Sequence, residues 1–346
     1  MMIATSISDV VAGKNLSEET AYAAMDEVMN GETTDAQIAC FITALRMKGE
    51  TSAEITGFAR AIRARAIKVN SSRAGLVDTC GTGGDLMHTF NISTTAAFVT
   101  AACGLPVAKH GNRSVSSRCG SADVLESLGI KIELSPKAVA KCIDETGIGF
   151  LFAPAFHKAM KHAVKARKEI GIRTVFNILG PLVNPAGATI QLIGVYDPNL
   201  TEILAEVLSR LDAGSALIVH GSGGLDEIST LGPTKITQLK EGVTSTYFIE
   251  PEMVGIPRTT AMQLRGGSIR ENAAITLKIL EGEPGPKQDI VAINAAAALF
   301  AAGMAKDFAE GVILARGAIY SGEAMRKFKL LLQYTNDISG KEGGAG

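Results

Sequence analysis

Apolar positions between about Ser17 and Ala66 crowd successive turns and nowhere alternate as in a strand. From about Ser17 to Ala66 the pattern predicts helices throughout. Ser17 is a plausible N-cap followed by first-turn acids at Glu18 and Glu19, and Gly31 is a stop. Asp35 can cap the next segment, in which Ile38, Cys40, Phe41, Ile42 and Leu45 crowd successive turns and imply burial on more than one side. Ser52 and Glu54 open a third helix through Ile62. The polar run Asn70 to Arg73 is a natural linker.

Beyond it the rhythm changes. Short β-branched runs alternate with longer helical patterns: Leu76 to Asp78, a helix from Ser93 to Cys103, then Pro106 to Ala108. A helix near Ala122 to Leu128 stops at Gly129. Another has Ser135 at its N-cap, Pro136 in its first turn and Gly147 beyond its end. Gly149 to Phe152, Gln191 to Tyr196 and Ala216 to Val219 read as buried strands, and Pro233 to Glu250 as a hairpin around Lys240-Glu241-Gly242. Strand–helix alternation predicts a mostly parallel central sheet flanked by helices. The fold expected is α/β: a small all-helical domain, residues 1–70, and a large α/β domain, residues 71–346.

Composition narrows the function classes. The 346 residues are 46% hydrophobic and 20% charged, enough for a sizeable core. A formal net charge of -1 lacks the electrostatic footprint of a dedicated nucleic-acid binder. The five cysteines, at 40, 80, 103, 119 and 142, have no metal or redox spacing and read as reduced thiols of a cytoplasmic protein. Met1 to Lys14 lacks a secretory pattern, and the apolar stretch Ile290 to Ala305 is interrupted by Asn294 and too short for a bilayer. A soluble protein is expected.

Four segments could carry chemistry. Gly81-Thr82-Gly83-Gly84-Asp85 follows a strand, and its glycines let backbone N–H groups approach an anion. Its spacing is neither that of a Rossmann loop nor that of a P-loop, and alone it is equally an ordinary tight turn. Asn91-Ile92-Ser93-Thr94 precedes a helix, where a hydroxyl is normally a cap but phosphate oxygens and a magnesium ion also bind. Lys109 to Ser117 lies beyond a predicted strand, supplying two cations, an imidazole, an amide and several hydroxyls where ligands of open sheets bind. Asp226-Glu227 follows a buried strand and is either a solvated turn or a pair of hard oxygen ligands. Arg167 sits in a basic helical run and reads as a surface charge; His157 and His162 read as surface or packing residues.

With these motifs in order, the sequence resembles the anthranilate phosphoribosyltransferases of tryptophan biosynthesis. The resemblance runs through most of the chain and includes Gly120 to Asp123, Arg173 to Pro185 and Leu225-Asp226-Glu227. It implies a discontinuous helical domain, with a return near residues 172–187 lining the hinge, and a homodimer formed through that domain. It also implies that phosphoribosyl pyrophosphate binds at Gly81, Gly84, Asp85, Thr89, Asn91, Ile92, Ser93, Thr94, Lys109, His110, Gly111, Asn112, Arg113, Ser114, Val115, Ser116, Ser117 and Ser121. Two magnesium ions would be held by Ser93, Asp226 and Glu227. Anthranilate would meet Gly81, Asn112 and Arg167, whose guanidinium can take a benzoate carboxylate bidentately. His110, close by, is a candidate proton acceptor. The chain departs from the family pattern at Leu86-Met87-His88, where a small residue usually follows the aspartate, and at Lys158, where proline is usual. A pyrimidine nucleoside phosphorylase shares the implied architecture but has a lysine-containing phosphate loop. A nucleic-acid-binding relative would have lost the glycine loop or the carboxylates and gained positive charge.

Overall fold

The computed structural model describes residues 2–84, 87–114 and 119–343. Helices Glu18–Asn30, Asp35–Lys48 and Ser52–Arg65 form the helical unit, with Ser17 and the left-handed Gly31 bounding the first of them. The second cap falls one residue earlier than Asp35, and Ser52 opens the third helix as expected, with Thr51 as its cap. Thr34 and Thr51 accept from the amides of Gln37 and Glu54, whose side chains reach back to the threonine amides. That reciprocal pairing satisfies two helix-end donors at once and outcompetes a cap one position later. A further helix, Met2–Val11, precedes these.

The sheet has seven strands: β1 Val77–Asp78, β2 Val107–Gly111, β3 Ile148–Phe152, β4 Ile190–Gly194, β5 Ser215–Gly221, β6 Thr234–Lys240 and β7 Val243–Ile249. Their order is β3-β2-β1-β4-β5-β6-β7. β1 to β5 run parallel, and β6 and β7 form an antiparallel hairpin at one edge. β2 is longer than its hydrophobic run suggested, because it pairs with β3 through Gly111↔Phe152. Lys109 to Gly111 therefore lie within the strand, not beyond it.

Alternation along the strands splits the core in two. Leu192, Leu217 and Val219 join helices Ile92–Ala102 and Pro286–Ala301 on one side of the sheet. Ile193, Val195, Ala216 and Ile218 join helix Leu200–Arg210 and the helical unit on the other. Segment 176–183 packs in this second core through Phe176, Ile178, Leu179, Leu182 and Val183. The order of strands reverses between β1 and β4, which leaves a crevice at their carboxyl ends. No helix among the described residues is long and apolar enough to cross a membrane.

Candidate active site

A cavity of about 540 Å³ opens at that crevice. Its wall includes Gly81, Gly84, Thr89, Asn91 to Thr94, Lys109 to Ser114, Ser121, Arg167, Asp226 and Glu227. Asp85, Val115, Ser116 and Ser117 lie outside the described residues. Chain segments far apart in sequence thus meet at the ends of β1, β2 and β5, as strand topology requires.

Three close approaches build the acidic corner. Thr82 N donates to Gly194 O at 2.8 Å, tying the glycine loop to the end of β4. A Cβ built on Gly194 would sit 1.5 Å from the carbonyl oxygen of Asp226, so the loop after β5 crosses β4 where only glycine fits. Glu227 Oε1 then accepts from Ser93 N at 3.0 Å, in the first turn of helix Ile92–Ala102. Asn91 makes no side-chain cap to this helix. The carboxylate of Glu227 satisfies one of its free donors and favours its positive end.

The electrostatics of this corner call for a cation. Burial, followed by the neighbouring Asp226, pushes the Glu227 carboxyl well above the ordinary carboxylate range, and Lys109 opposes the shift. Asp78 at the end of β1 is likewise pushed up to about 6 by burial, again against Lys109. Lys109 Nζ donates to Thr79 O and Oγ1 at 3.0 and 3.2 Å. Hard oxygen donors held together in a buried pocket, costly to ionise without a counter-charge, suit magnesium. Asp78, Cys80 and His110 also bring potential ligand atoms within 4.8 Å of one another. Asp78 already accepts from His110 N and Asn184 Nδ2, however, and burial keeps the Cys80 thiol protonated, so this trio is a poor metal site.

Another part of the cavity lining differs in kind. Arg167, on helix Lys161–Ile170, places its guanidinium 4.9 Å from the centroid of the Phe176 ring. Burial lowers its pKa, and among the described residues no carboxylate pairs with it. A half-buried, unpartnered guanidinium stacked on an aromatic ring suits a planar carboxylate. It is not the surface charge that the basic run suggested.

His110 is buried, its Nδ1 lies 3.1 Å from Gly180 O, and its Nε2 has no partner among the described residues. Burial and the neighbouring His157 hold its pKa down at about 3. An imidazole so reluctant to protonate is a poor proton acceptor at neutral pH, which counts against that role. Arg113 lines the cavity but is engaged by Glu126 and Asp123. His157, read from sequence as a surface or packing residue, is buried and also lines the cavity, its ring tilted against that of His110 with centroids 5.2 Å apart. Sequence reasoning missed Asn294, whose side chain holds both Ile228 N and Ile228 O at 2.9 Å, just behind Glu227.

Comparison with known proteins agrees with this layout. A family described as glycosyl transferase family, a/b domain, matches residues 73–325, and its helical bundle domain matches residues 5–66. A protein of Moorella thermoacetica named anthranilate phosphoribosyltransferase is 58% identical over 96% of this chain and 98% of its own length. The crystal structure of anthranilate phosphoribosyltransferase from Thermus thermophilus superposes with a TM-score of 0.91 at 43% identity, covering 96% of this chain and 99% of that one. The Saccharomyces cerevisiae enzyme in complex with phosphoribosyl pyrophosphate and magnesium gives a TM-score of 0.88 at 28% identity, covering 97% and 98%.

Proposed function

The chain belongs to the anthranilate phosphoribosyltransferase family of glycosyl transferases, and from that membership we propose how its own residues divide the work. The reaction transfers the 5-phosphoribosyl group of phosphoribosyl pyrophosphate to the amine of anthranilate. It yields N-(5-phosphoribosyl)anthranilate and pyrophosphate, in the second step of tryptophan biosynthesis from chorismate. The observation that carries the division of labour is that one cavity is lined both by an acidic corner at Asp226-Glu227 and by the Arg167 guanidinium, which no carboxylate among the described residues pairs with.

The glycine loop, the start of helix Ile92–Ala102 and the end of β2 bind the ribosyl diphosphate. Gly81, Gly84, Thr89 and Asn91 to Thr94 offer backbone donors and hydroxyls, with Lys109 beneath them. Segment Lys109 to Ser114 and Ser121 complete the pocket. Ser93 with Glu227 would hold one magnesium ion, and Asp226 with Glu227 a second, which would supply positive charge for the leaving diphosphate. Arg167 orients anthranilate by its carboxylate, with Gly81 and Asn112 beside it.

The amine lone pair forms the new bond at ribosyl C1 as the C1–O bond breaks and pyrophosphate carries away the electron pair. An aromatic amine is neutral at pH 7, so holding the two substrates in line and stabilising the leaving group are the larger tasks. The product's excess proton passes to water or to the pyrophosphate, not to His110. We place the boundary of the helical domain near residue 70, with a return at 172–187 that shares its core. Homodimer formation through that domain and a cytoplasmic location complete the reading. A titration with manganese as the magnetic probe tests the metal stoichiometry: two ions per chain with phosphoribosyl pyrophosphate support it, and one contradicts it. Sedimentation at micromolar concentration tests the dimer, which a monomer mass would rule out.

A further inference from the structure

We infer that Arg173 is a positioning residue for the diphosphate half of the site, holding the glycine loop in place from outside it; this rests on the functional reading above. Arg173 follows helix Lys161–Ile170 and lines the cavity. Its guanidinium donates to the carbonyl oxygen of Gly84. Gly84 has φ 83°, and a Cβ there would lie 2.6 Å from Arg173 Nη2, so the loop comes this close to the cation because the residue is glycine.

The cation itself stands on a platform. Its centre lies 4.4 Å from the centroid of the Tyr196 ring, within cation–π range. Tyr196 also anchors the loop directly, since its backbone N donates to Thr82 Oγ1 at 3.3 Å. The glycine loop is thus fastened to the end of β4 and the residues after it at two points, at Thr82 through its backbone N and hydroxyl and at Gly84 through Arg173. A glycine-rich loop loses much backbone freedom when it closes on an anion, and fixing Gly84 beforehand reduces that cost. Arg173 directs its donor to the loop carbonyl, and so acts through the loop.

The test combines steady-state kinetics with hydrogen exchange on four variants: Arg173→Ala, Arg173→Lys, Tyr196→Leu and the double variant Arg173→Ala with Tyr196→Leu. Arg173→Ala is expected to raise KM for phosphoribosyl pyrophosphate about tenfold, the loss of one charge-assisted hydrogen bond, and to move KM for anthranilate by less than about twofold. Tyr196→Leu shifts the same constant in the same direction by a smaller factor. The double variant is no worse than Arg173→Ala alone, because both changes release the same loop. Arg173→Lys recovers part of the loss, keeping a donor without the planar stack. Amides of residues 81–84 exchange faster in Arg173→Ala without substrate, while the thermal midpoint stays near that of the parent. An unchanged KM for phosphoribosyl pyrophosphate, unchanged exchange, or effects that multiply in the double variant would each overturn the inference. The exchange measurement needs no turnover, so it fails or succeeds independently of the functional reading.

Discussion

Ser93 donates its backbone N–H to Glu227 Oε1 at 3.0 Å, joining residues 134 positions apart at the mouth of the β1–β4 crevice. The start of a helix and the loop after β5 share one carboxyl group, so the proposed diphosphate and magnesium ligands meet at a single contact. Glu227 satisfies a helix-end donor, sits against Asp226, and is opposed in its charge by Lys109.

Replacing both carboxylates, Asp226→Asn with Glu227→Gln, should therefore separate stability from activity. The amide oxygen that replaces the Glu227 carboxyl can still accept from Ser93, and the electrostatic conflict between Asp226 and Glu227 is gone, so the magnesium-free protein melts no lower than the parent. Turnover falls by at least about a hundredfold, because leaving-group charge is no longer neutralised. Thermal melts and kinetics at limiting magnesium check both halves; parent-like turnover would refute the metal role.

Arg167→Ala removes the guanidinium that stacks on Phe176. Anthranilate KM should rise at least about tenfold, while KM for phosphoribosyl pyrophosphate stays within about twofold. Arg167→Lys should restore little, since an ammonium cannot grip both carboxylate oxygens in a plane. An unchanged anthranilate KM would remove Arg167 from the acceptor site.

Buried histidines give the fold a pH dependence of known sign. His157 is held by burial at about 4 against an ordinary 6.5, and His110 at about 3. On acidification the unfolded chain takes up these protons first, so this stability is complete above pH 6.5 and is lost as pH falls towards those values. Asp78, raised from 3.8 to about 6, works in the opposite sense over its own window, the folded state binding the extra proton. His157→Gln should flatten the acid limb between about pH 6.5 and 4 by ~1–3 kcal/mol relative to the parent. Melting curves across that range check it; parallel pH profiles would contradict it.

Asn294 is fully buried, and its amide closes on both backbone groups of Ile228 as well as on Ile290 O. Asn294→Ala leaves a buried N–H and C=O of Ile228 unsatisfied, costing about 2–4 kcal/mol. It should also weaken magnesium binding, because Ile228 adjoins Glu227. Denaturant unfolding and a magnesium titration test both effects; an Asn294→Ala protein of parent stability would show that the clamp is dispensable.

The site was legible where its chemistry sits in short contiguous motifs at strand ends. Gly81 to Gly84, Lys109 to Ser114 and Asp226-Glu227 each carry residue types whose purpose can be argued locally, and strand topology brings them together. Asn294 was not legible, because in sequence it only interrupts an apolar run while its partner lies 66 residues away. His157 and Arg167 took their meaning from where one helix docks. Gly194 carried a faint signal, a lone glycine in a buried strand, whose reason appears only when Asp226 is seen against it. Helix Met2–Val11 went unread because Ser6 and Asp9 blur its apolar face, and its first amides are capped at a distance by Glu27.

The central claim is that one cavity brings magnesium-bound phosphoribosyl pyrophosphate and anthranilate together for transfer at C1. The most direct measurement mixes the purified protein with all three components and follows the fluorescence of anthranilate. Loss of that fluorescence, dependent on magnesium and on phosphoribosyl pyrophosphate and matched by release of pyrophosphate, is the result expected. Steady fluorescence, with a nucleoside and phosphate consumed in its place, would contradict the account.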